Sequence, residues 1–369
     1  MIPAGVWGWR RGRAHPPVDA NAAALRKDAS MAAVTMTMVA REAGVSVSTV
    51  SHVVNGTRPV NPETRRVVLE AMDALGFQHR PVAGSLAAGS TLTIGLAMSL
   101  SVNPAMRELV DGIEEEASRR GLQLVLVDTH DAPEHEGRVV ARLLAHHVDG
   151  LLIVPSEGWE DAALRLLRER SVPYVVVDRL RDMRADQVGV ESETAACALV
   201  EHLLAKTHRR VAFLGCRVGT PTELERLAGY REAHRRRDVP VRPELLATDV
   251  GDEDGARRAL SAMLASTEPP SAVFTAGLAA TMGGLRAARA AGLAVPAGLA
   301  MVCFDEVPWA GVAEPAMTVL AQPWFAIGAR AVQMLIRRMN GPDIPVQTLR
   351  LAGEIVHRRS CGCEPATRG

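Results

Sequence analysis

From Thr93 onward the chain alternates short, near-continuous aliphatic runs with amphipathic helical stretches, and this alternation restricts the fold more than any other feature. The runs are Thr93–Met98, Leu122–Asp128, Gly150–Val154, Tyr174–Asp178, Arg210–Leu214, Leu245–Val250, Ala272–Thr275 and Met301–Phe304. Helical patterns such as Met106–Arg120, Val139–His147, Ala162–Arg170, Glu193–Ala205 and Thr222–Arg236 separate them. A strand that is apolar at nearly every position is buried on both faces, the condition of a parallel sheet covered by helices. Strand–helix–strand units close right-handed, so the pattern predicts an α/β fold with doubly wound sheets. Eight or more strands divide into two Rossmann-like lobes with the break at Lys206–Arg209. The last strand–helix unit, Val319–Asn340, and a final strand within Val346–Val356 return across the lobes.

Thr35 to Leu75 follow a different, wholly helical pattern. Val39, Ala40 and Ala43 share a face, and Gly44 stops that helix. Ser46 caps the next, which carries Thr49, Val50 and Val53 and ends at Asn55-Gly56. Asn61-Pro62 opens a third helix with a cap followed by proline at its first position, and Val67, Val68, Met72 and Leu75 form its apolar stripe. Small residues at Ala43 and Gly44 permit a close turn, so the first two helices read as a helix-turn-helix. Its second helix turns Val50 and Val53 inward and presents Ser48, Thr49, Ser51, His52 and Asn55 outward, short polar side chains that reach phosphates and base edges in a major groove. A bundle whose serines merely cap helices explains Ser46 and leaves the rest of that face without a purpose. Val82 to Ala88 is barely two turns long and contains Gly84; such a segment is a linker, or a helix that needs a partner.

Composition narrows the function. With 47% hydrophobic residues in 369 there is material for a large core, and the 3% aromatic content leaves it to aliphatic side chains. The formal net charge is zero, which argues against a surface that coats nucleic acid or membrane and leaves room for a local contact. No apolar run approaches the ~20 residues of a membrane helix. Residues 1–33 read as a disordered extension, with Met31, Met36 and Met38 as alternative starts, and they lack the apolar stretch of a secretory signal. Cys197, Cys216 and Cys303 stand singly in apolar segments as small buried hydrophobes, which places the chain in a reducing cytoplasm. Cys361 and Cys363 form a C-x-C with no neighbouring ligand cluster at zinc spacing, so no metal and no cofactor is expected. Gly251–Gly255 lacks the alternating ligands of a calcium loop, and Asp252 reads as a helix cap. His130, His135, His146 and His147 read as exposed loop and helix residues, and Arg235–Arg237 as a solvated helix end. Neither a phosphate-cradling glycine loop nor a nucleophile elbow occurs, which counts against a nucleotide- or sugar-converting enzyme. A solute-binding protein would share a two-lobe core but have no use for residues 35–80.

Val39 to Gly56, Asn61-Pro62-Glu63-Thr64-Arg65, Leu75-Gly76-Phe77, Val82–Leu86 and Thr93–Leu96 resemble the LacI/GalR (lactose-repressor) family of bacterial transcription regulators. The resemblance continues through Val148–Leu151, Val172–Arg179, Glu201-His202-Leu203, Arg226–Tyr230, Cys303–Glu306 and Gln322-Pro323, and spans about residues 35–360. It implies a DNA-binding headpiece at 34–80, a hinge helix at 81–90 and two lobes of periplasmic-binding-protein type. The lobes are set at 91–206 plus 322–340 and at 207–321 plus 341–360, with 361–369 as a tail. By position, Val47, Ser48 and His52 match residues that read operator bases, and Thr49, Ser51 and Asn55 match residues that set the helix on the backbone. Thr35 and Ser46, at the starts of the first two helices, complete the expected DNA contacts. Leu86 matches a leucine that wedges into the minor groove when two hinge helices pair. His52 stands where most members carry arginine, which alters the operator preference, since an imidazole offers one donor and one acceptor instead of a fork.

A ligand between lobes sits beyond the carboxyl ends of the strands. Ser99, Asn103, Asp128, Asp178, Arg179 and Asp305 fall there; the family resemblance adds Arg226 to this expected effector set and puts Arg226 and Asp305 foremost. Thr275-Ala276-Gly277-Leu278 replaces the Asn-Asp that many members carry, so either the ligand departs from a typical sugar or sensing has decayed. The expected partners are an operator duplex, a sugar-like effector and a second copy of the chain in a dimer or tetramer; the expected place is the bacterial cytoplasm, on the nucleoid.

Overall fold

The computed structural model describes residues 34–55, 58–75, 90–100, 104–156, 162–215 and 220–363. The expectations for residues 1–33, for the hinge with Leu86, for Asn103, for Cys216 and for the tail beyond Cys363 lie outside the described residues, as does the side chain of Asn55. The chain forms two units that divide between Gly84 and Ser85.

The first unit packs α1 (Met36–Glu42), α2 (Val47–Asn55) and α3 (Pro62–Leu75). Thr35 caps α1, its Oγ1 accepting from the Met38 amide at 3.4 Å. The turn into α2 is a Schellman closure: the Gly44 amide donates to the Arg41 carbonyl and the Val45 amide to the Ala40 carbonyl, at 3.4 and 3.0 Å. Gly44 has φ +64°, the left-handed region where a side chain costs free energy, which is why a glycine occupies it. Asn61 caps α3 by accepting from the Glu63 amide at 2.9 Å. Val39, Ala40, Val50, Val53, Val68 and Ala71 are buried together in an aliphatic core.

The second unit runs through β1 (Thr93–Met98), α4 (Arg107–Arg119), β2 (Gln123–Asp128), α5 (Pro133–Ala145), β3 (Gly150–Ile153), α6 (Ala162–Glu169), β4 (Tyr174–Val177) and β5 (Asp186–Val190). It continues through α7 (Ser192–Ala205), β6 (Val211–Leu214), α8 (Pro221–Arg236), β7 (Leu246–Ala247), α9 (Glu253–Leu264), β8 (Ala272–Thr275), α10 (Leu278–Ala290), β9 (Ala300–Phe304) and β10 (Thr318–Ala321). It ends with α11 (Trp324–Asn340), β11 (Thr348–Leu351) and β12 (Glu354–Val356). Among the described residues the strands make two six-stranded sheets, ordered β11-β5-β4-β3-β1-β2 and β12-β10-β9-β8-β6-β7. The first is parallel throughout, and in the second only β12 runs antiparallel to its neighbour. The central strands β3, β6, β8 and β9 are fully buried, as their unbroken aliphatic sequences predict.

The structure departs from the sequence reading in three places. β5 was not anticipated because Asp186 and Gln187 interrupt its apolar pattern. Both are buried with partners: Asp186 accepts from Arg338 Nε at 2.7 Å and from the Gln347 amide at 2.9 Å, and Gln187 bonds the Arg181 backbone at 2.8 and 2.9 Å. The expected break at residue 206 is displaced. α7 packs along α8 and over the second sheet, so the chain has already changed lobes at Glu191. Gly229 of α8 is the reason α7 and α8 approach so closely, since a Cβ there would stand 2.8 Å from the Cys197 amide nitrogen. The run Val346–Val356 is two strands, β11 in the first sheet and β12 in the second, so residues 341–351 belong with the first lobe, not the second. Among the described residues the chain therefore crosses between sheets at Glu191, at Gln322-Pro323 and at Ala352-Gly353.

Candidate functional site

α2 has two unlike sides. Val50 is fully buried and Val53 nearly so, whereas Ser46, Val47 and Ser48 are exposed and Thr49, Ser51 and His52 half-buried. Ser46 Oγ accepts from the Thr49 amide at 3.1 Å and lies 2.8 Å from both Ser48 Oγ and Thr49 Oγ1, so the helix begins in a cluster of hydroxyls. Thr35 is exposed at the start of α1. The described headpiece is electrically balanced, with Arg41, Arg58, Arg65 and Arg66 against Glu42, Glu63, Glu70 and Asp73. Arg66 is paired with Glu63 and Glu70 at 2.5 and 2.6 Å.

In the second unit a cavity of about 390 Å³ opens between the lobes. Its walls come from the carboxyl ends of β1, β4, β8, β9 and β10 and from the starts of α8, α9, α10 and α11, as an open α/β sheet dictates. The lining contains five carboxylates, Asp131, Asp178, Glu223, Asp252 and Asp305, against two guanidinium groups, Arg179 and Arg226. Arg179 is held in the first lobe by Asp131, at 2.5 and 3.2 Å, and by the Pro155 carbonyl at 2.8 Å. Arg226 donates through Nη1 to the Ala276 carbonyl at 2.6 Å and lies 3.8 Å above the Phe304 ring centroid, a cation–π contact. Gln322 donates to Asp305, and the turn of Asp252 caps α9 through the Gly255 amide at 2.8 Å.

Four cleft residues, His130, Asp131, Asp178 and Asp305, have φ of 53°, 53°, 67° and 145°. Backbone in these regions costs of order 1–3 kcal/mol per residue and collects where geometry serves a ligand. Burial pushes the Asp178 carboxyl above the ordinary carboxylate range, with the charges of Arg179 and Arg226 opposing the shift. Beneath the rim, burial also raises Glu136, which accepts from the Ser156 amide at 2.5 Å. Asp178 Oδ1 and Gln322 Oε1, which accept, and Arg226 Nε and Trp324 Nε1, which donate, are polar atoms of lining residues buried without a protein partner. Such atoms cost about 1–3 kcal/mol each unless something bonds them.

Ser99, Asp178, Arg179, Arg226 and Asp305 line one cavity. Asp128 does not. Its Oδ1 accepts from the His130 and Leu100 amides at 2.7 and 3.3 Å and its Oδ2 lies 3.2 Å from His130 Nδ1, so this carboxylate shapes the loops instead of facing the cavity. His130, which the sequence reads only as an exposed loop residue, lines the cavity, as do Asp131, Glu223, Gln322 and Trp324, which it does not single out. Thr275 turns its hydroxyl to Thr281 at 2.7 Å inside the lobe, leaving Ala276–Ala279 as a wall without polar side chains. Asp252 caps α9, His146 and His147 are exposed, and Arg235 and Arg236 pair with Glu232, each as its sequence context predicts.

Residues 35–79 match the family model described as bacterial regulatory proteins, lacI family, and residues 200–361 match the periplasmic binding protein-like domain. The chain is 32% identical over 334 residues to the HTH-type transcriptional repressor PurR of Erwinia tasmaniensis, which covers 90% of this chain and 98% of that protein. It is 33% identical over 328 residues to the ribose operon repressor of Escherichia coli K12, covering 88% and 99%. Among solved structures it is similar to the lac repressor dimer bound to operator and the anti-inducer ONPF, with TM-score 0.79, 26% identity, and coverage of 89% of this chain and 99% of that one. It is likewise similar to the complex of the transcriptional regulator CelR with cellobiose, with TM-score 0.68, 30% identity and coverage of 89% and 99%.

Proposed function

The chain belongs to the lacI family of bacterial regulatory proteins, and from that premise we propose that it represses transcription by binding an operator through α2 and releases or tightens that grip when a neutral, polyhydroxylated molecule fills the interlobe cleft. It is a DNA-binding regulator, not an enzyme. The observation that carries the DNA reading is the two-sided α2, whose Val50 and Val53 fill the headpiece core while Val47 and Ser48 stand exposed and Thr49, Ser51 and His52 half-buried on the other side. In this reading Val47, Ser48 and His52 meet base edges, and Thr35, Ser46, Thr49, Ser51 and Asn55 meet the backbone. A headpiece whose described residues carry no net charge relies on backbone amides at the start of α2, on a wedge at Leu86 and on the avidity of two copies. The domain plan that goes with it has a headpiece at 34–80, a hinge at 81–90, and lobes exchanged at the three crossings. The protein works in the bacterial cytoplasm, on the nucleoid; among the described residues no helix is long and apolar enough to cross a membrane.

The cleft supports the choice of effector. Buried acceptors at Asp178 and Gln322 lie in the same lining as buried donors at Arg226 and Trp324, and a hydroxyl serves either kind. Five carboxylates against two guanidinium groups oppose a phosphorylated or carboxylated ligand, and the indole of Trp324 offers an apolar face beside the polar atoms. A ligand that prefers one lobe arrangement shifts the population and, with it, the spacing of the hinge segments in a dimer. Mobility-shift titrations on duplexes taken from around the gene test the first part: one fragment is expected to form a discrete complex whose affinity falls steeply between 50 and 200 mM salt. Equal affinity for every fragment would refute it. Thermal-shift screening of neutral sugars beside their phosphates tests the second, with stabilisation expected from the neutral set.

A further inference from the structure

The C-x-C pair that has no ligand partner nearby in sequence acquires two in space. His202 lies in the last turn of α7, His357 directly follows β12, and Cys361 and Cys363 flank Gly362, whose φ of +76° turns the chain so that both sulfurs face the same place. One ligand atom from each of the four residues lies within 4.8 Å of the others. His202 Nε2 is 3.2 Å from Cys361 Sγ and 3.4 Å from Cys363 Sγ, and the two imidazoles stand 4.6 Å apart at 54°, tilted instead of stacked.

We propose that His202, His357, Cys361 and Cys363 hold a tetrahedral Zn²⁺ that fastens the C-terminal segment to α7. Zinc–sulfur and zinc–nitrogen bonds of about 2.3 and 2.0–2.1 Å make the edges of such a tetrahedron about 3.3–3.8 Å, close to the two sulfur–nitrogen separations already present. Two thiolates and two neutral imidazoles around a dication sum to zero charge, which suits a site where Cys361 is buried and Cys363 and His202 are half-buried. Mixed sulfur–nitrogen tetrahedra select zinc over the oxygen-seeking divalent ions. The turn that carries the cysteines is preformed. Ser360 donates to the Met301 carbonyl at 2.7 Å and accepts from the Thr318 amide at 2.8 Å, tying the turn to β9 and β10. Thr318 Oγ1 lies 2.9 Å from the Arg358 carbonyl and 3.1 Å from Cys361 Sγ, within reach to donate to a bound thiolate, and Lys206 Nζ holds the Gly362 carbonyl at 3.0 Å. α7 follows the first crossing between lobes and Glu354–Cys363 follows the third, so the metal joins the two segments that enter the second lobe from opposite ends of the sequence.

The full-length chain, purified under reducing conditions from zinc-supplemented cells and dialysed against metal-free buffer, is expected to carry one zinc per chain by elemental analysis. The Cys361→Ser/Cys363→Ser double variant is expected to carry none. Cobalt added to the stripped wild type should give the intense visible bands and thiolate charge-transfer absorption of tetrahedral cobalt, bleached by zinc. His357→Ala, at an exposed position whose change leaves the core intact, should weaken cobalt binding by more than about tenfold, the cost of losing even an outer partner. Folded, reduced wild type that retains no zinc and gives only the pale spectrum of octahedral cobalt overturns the proposal. Unchanged cobalt affinity in His357→Ala overturns the four-ligand set, and neither result depends on the double variant folding.

Discussion

In the headpiece, six of the eight residues proposed to meet DNA come from one nine-residue helix, whereas in the core the cavity lining arrives from segments spread between Ser99 and Trp324. The α2 set is short and mostly polar, exposed at Val47 and Ser48 and half-buried at Thr49, Ser51 and His52, and Val50 and Val53 on the same helix belong to the headpiece core. The cleft set is charged, deeply placed and held by strained backbone and by hydrogen bonds between distant segments. A partner as large as a duplex brings its own rigid surface, so the protein supplies a shaped rod. A small molecule must be surrounded, so the protein supplies enclosure and waiting polar atoms. The difference makes the two surfaces separable by substitution.

Val50→Asp should have the largest effect. It places an unpaired charge in a six-residue aliphatic core, at a cost of several kcal/mol, more than so small a module withstands. Mobility shift of the operator should vanish while the calorimetric transition of the core and its ligand-induced shift persist; loss of both would mean that the two regions do not fold independently. Arg226→Met should reverse the pattern. Removing the guanidinium over Phe304 and its bond to Ala276 should weaken effector binding by about 2–3 kcal/mol, a change of 30- to 150-fold by isothermal titration, and leave ligand-free operator affinity unaltered.

His52→Ala sharpens the comparison within the headpiece. A single imidazole contact to a base is worth about 1–2 kcal/mol, the lower part of the range for base readout. Selection of binding sites from a random library should show relaxed preference at one position per half-site, with the headpiece melting as before. Gly44→Ala should have the smallest effect. Nothing lies within 4 Å of the added Cβ, so the penalty is the left-handed backbone alone, about 1 kcal/mol, read as a lower melting temperature of the headpiece with an unchanged base preference.

Much of this was legible in the sequence where the signal is local. Gly44 closing one helix, Ser46 opening the next and Asn61-Pro62 starting a third are written within a few residues of the features they produce. The aliphatic runs of β1, β3, β4, β8 and β9 are likewise visible as strands before any contact is known. Partners far away in sequence hid the rest. β5 escaped because Asp186 looks solvent-seeking until Arg338, 152 residues on, neutralises it. α7 was given to the wrong lobe because its affiliation is decided by Gly229 and the second sheet, not by its own pattern. Asp128 carries the same chemistry as Asp178 and likewise stands at the carboxyl end of a strand, yet it bonds its own loop while Asp178 lines the cleft.

The amino-acid pattern alone determined that this chain makes a three-helix reading head and two parallel-sheet lobes, because periodicity, caps and turns act through hydrogen bonds and sterics a few residues in range. Which lobe each crossing segment joins, which carboxylates face the cavity, and how two histidines meet the pair of cysteines were decided only in the tertiary structure. Those outcomes depend on contacts between separate elements, from the Leu100 amide on Asp128 to His202 beside Cys361, 159 residues on, where packing sets the partner of each polar group and the local pattern does not.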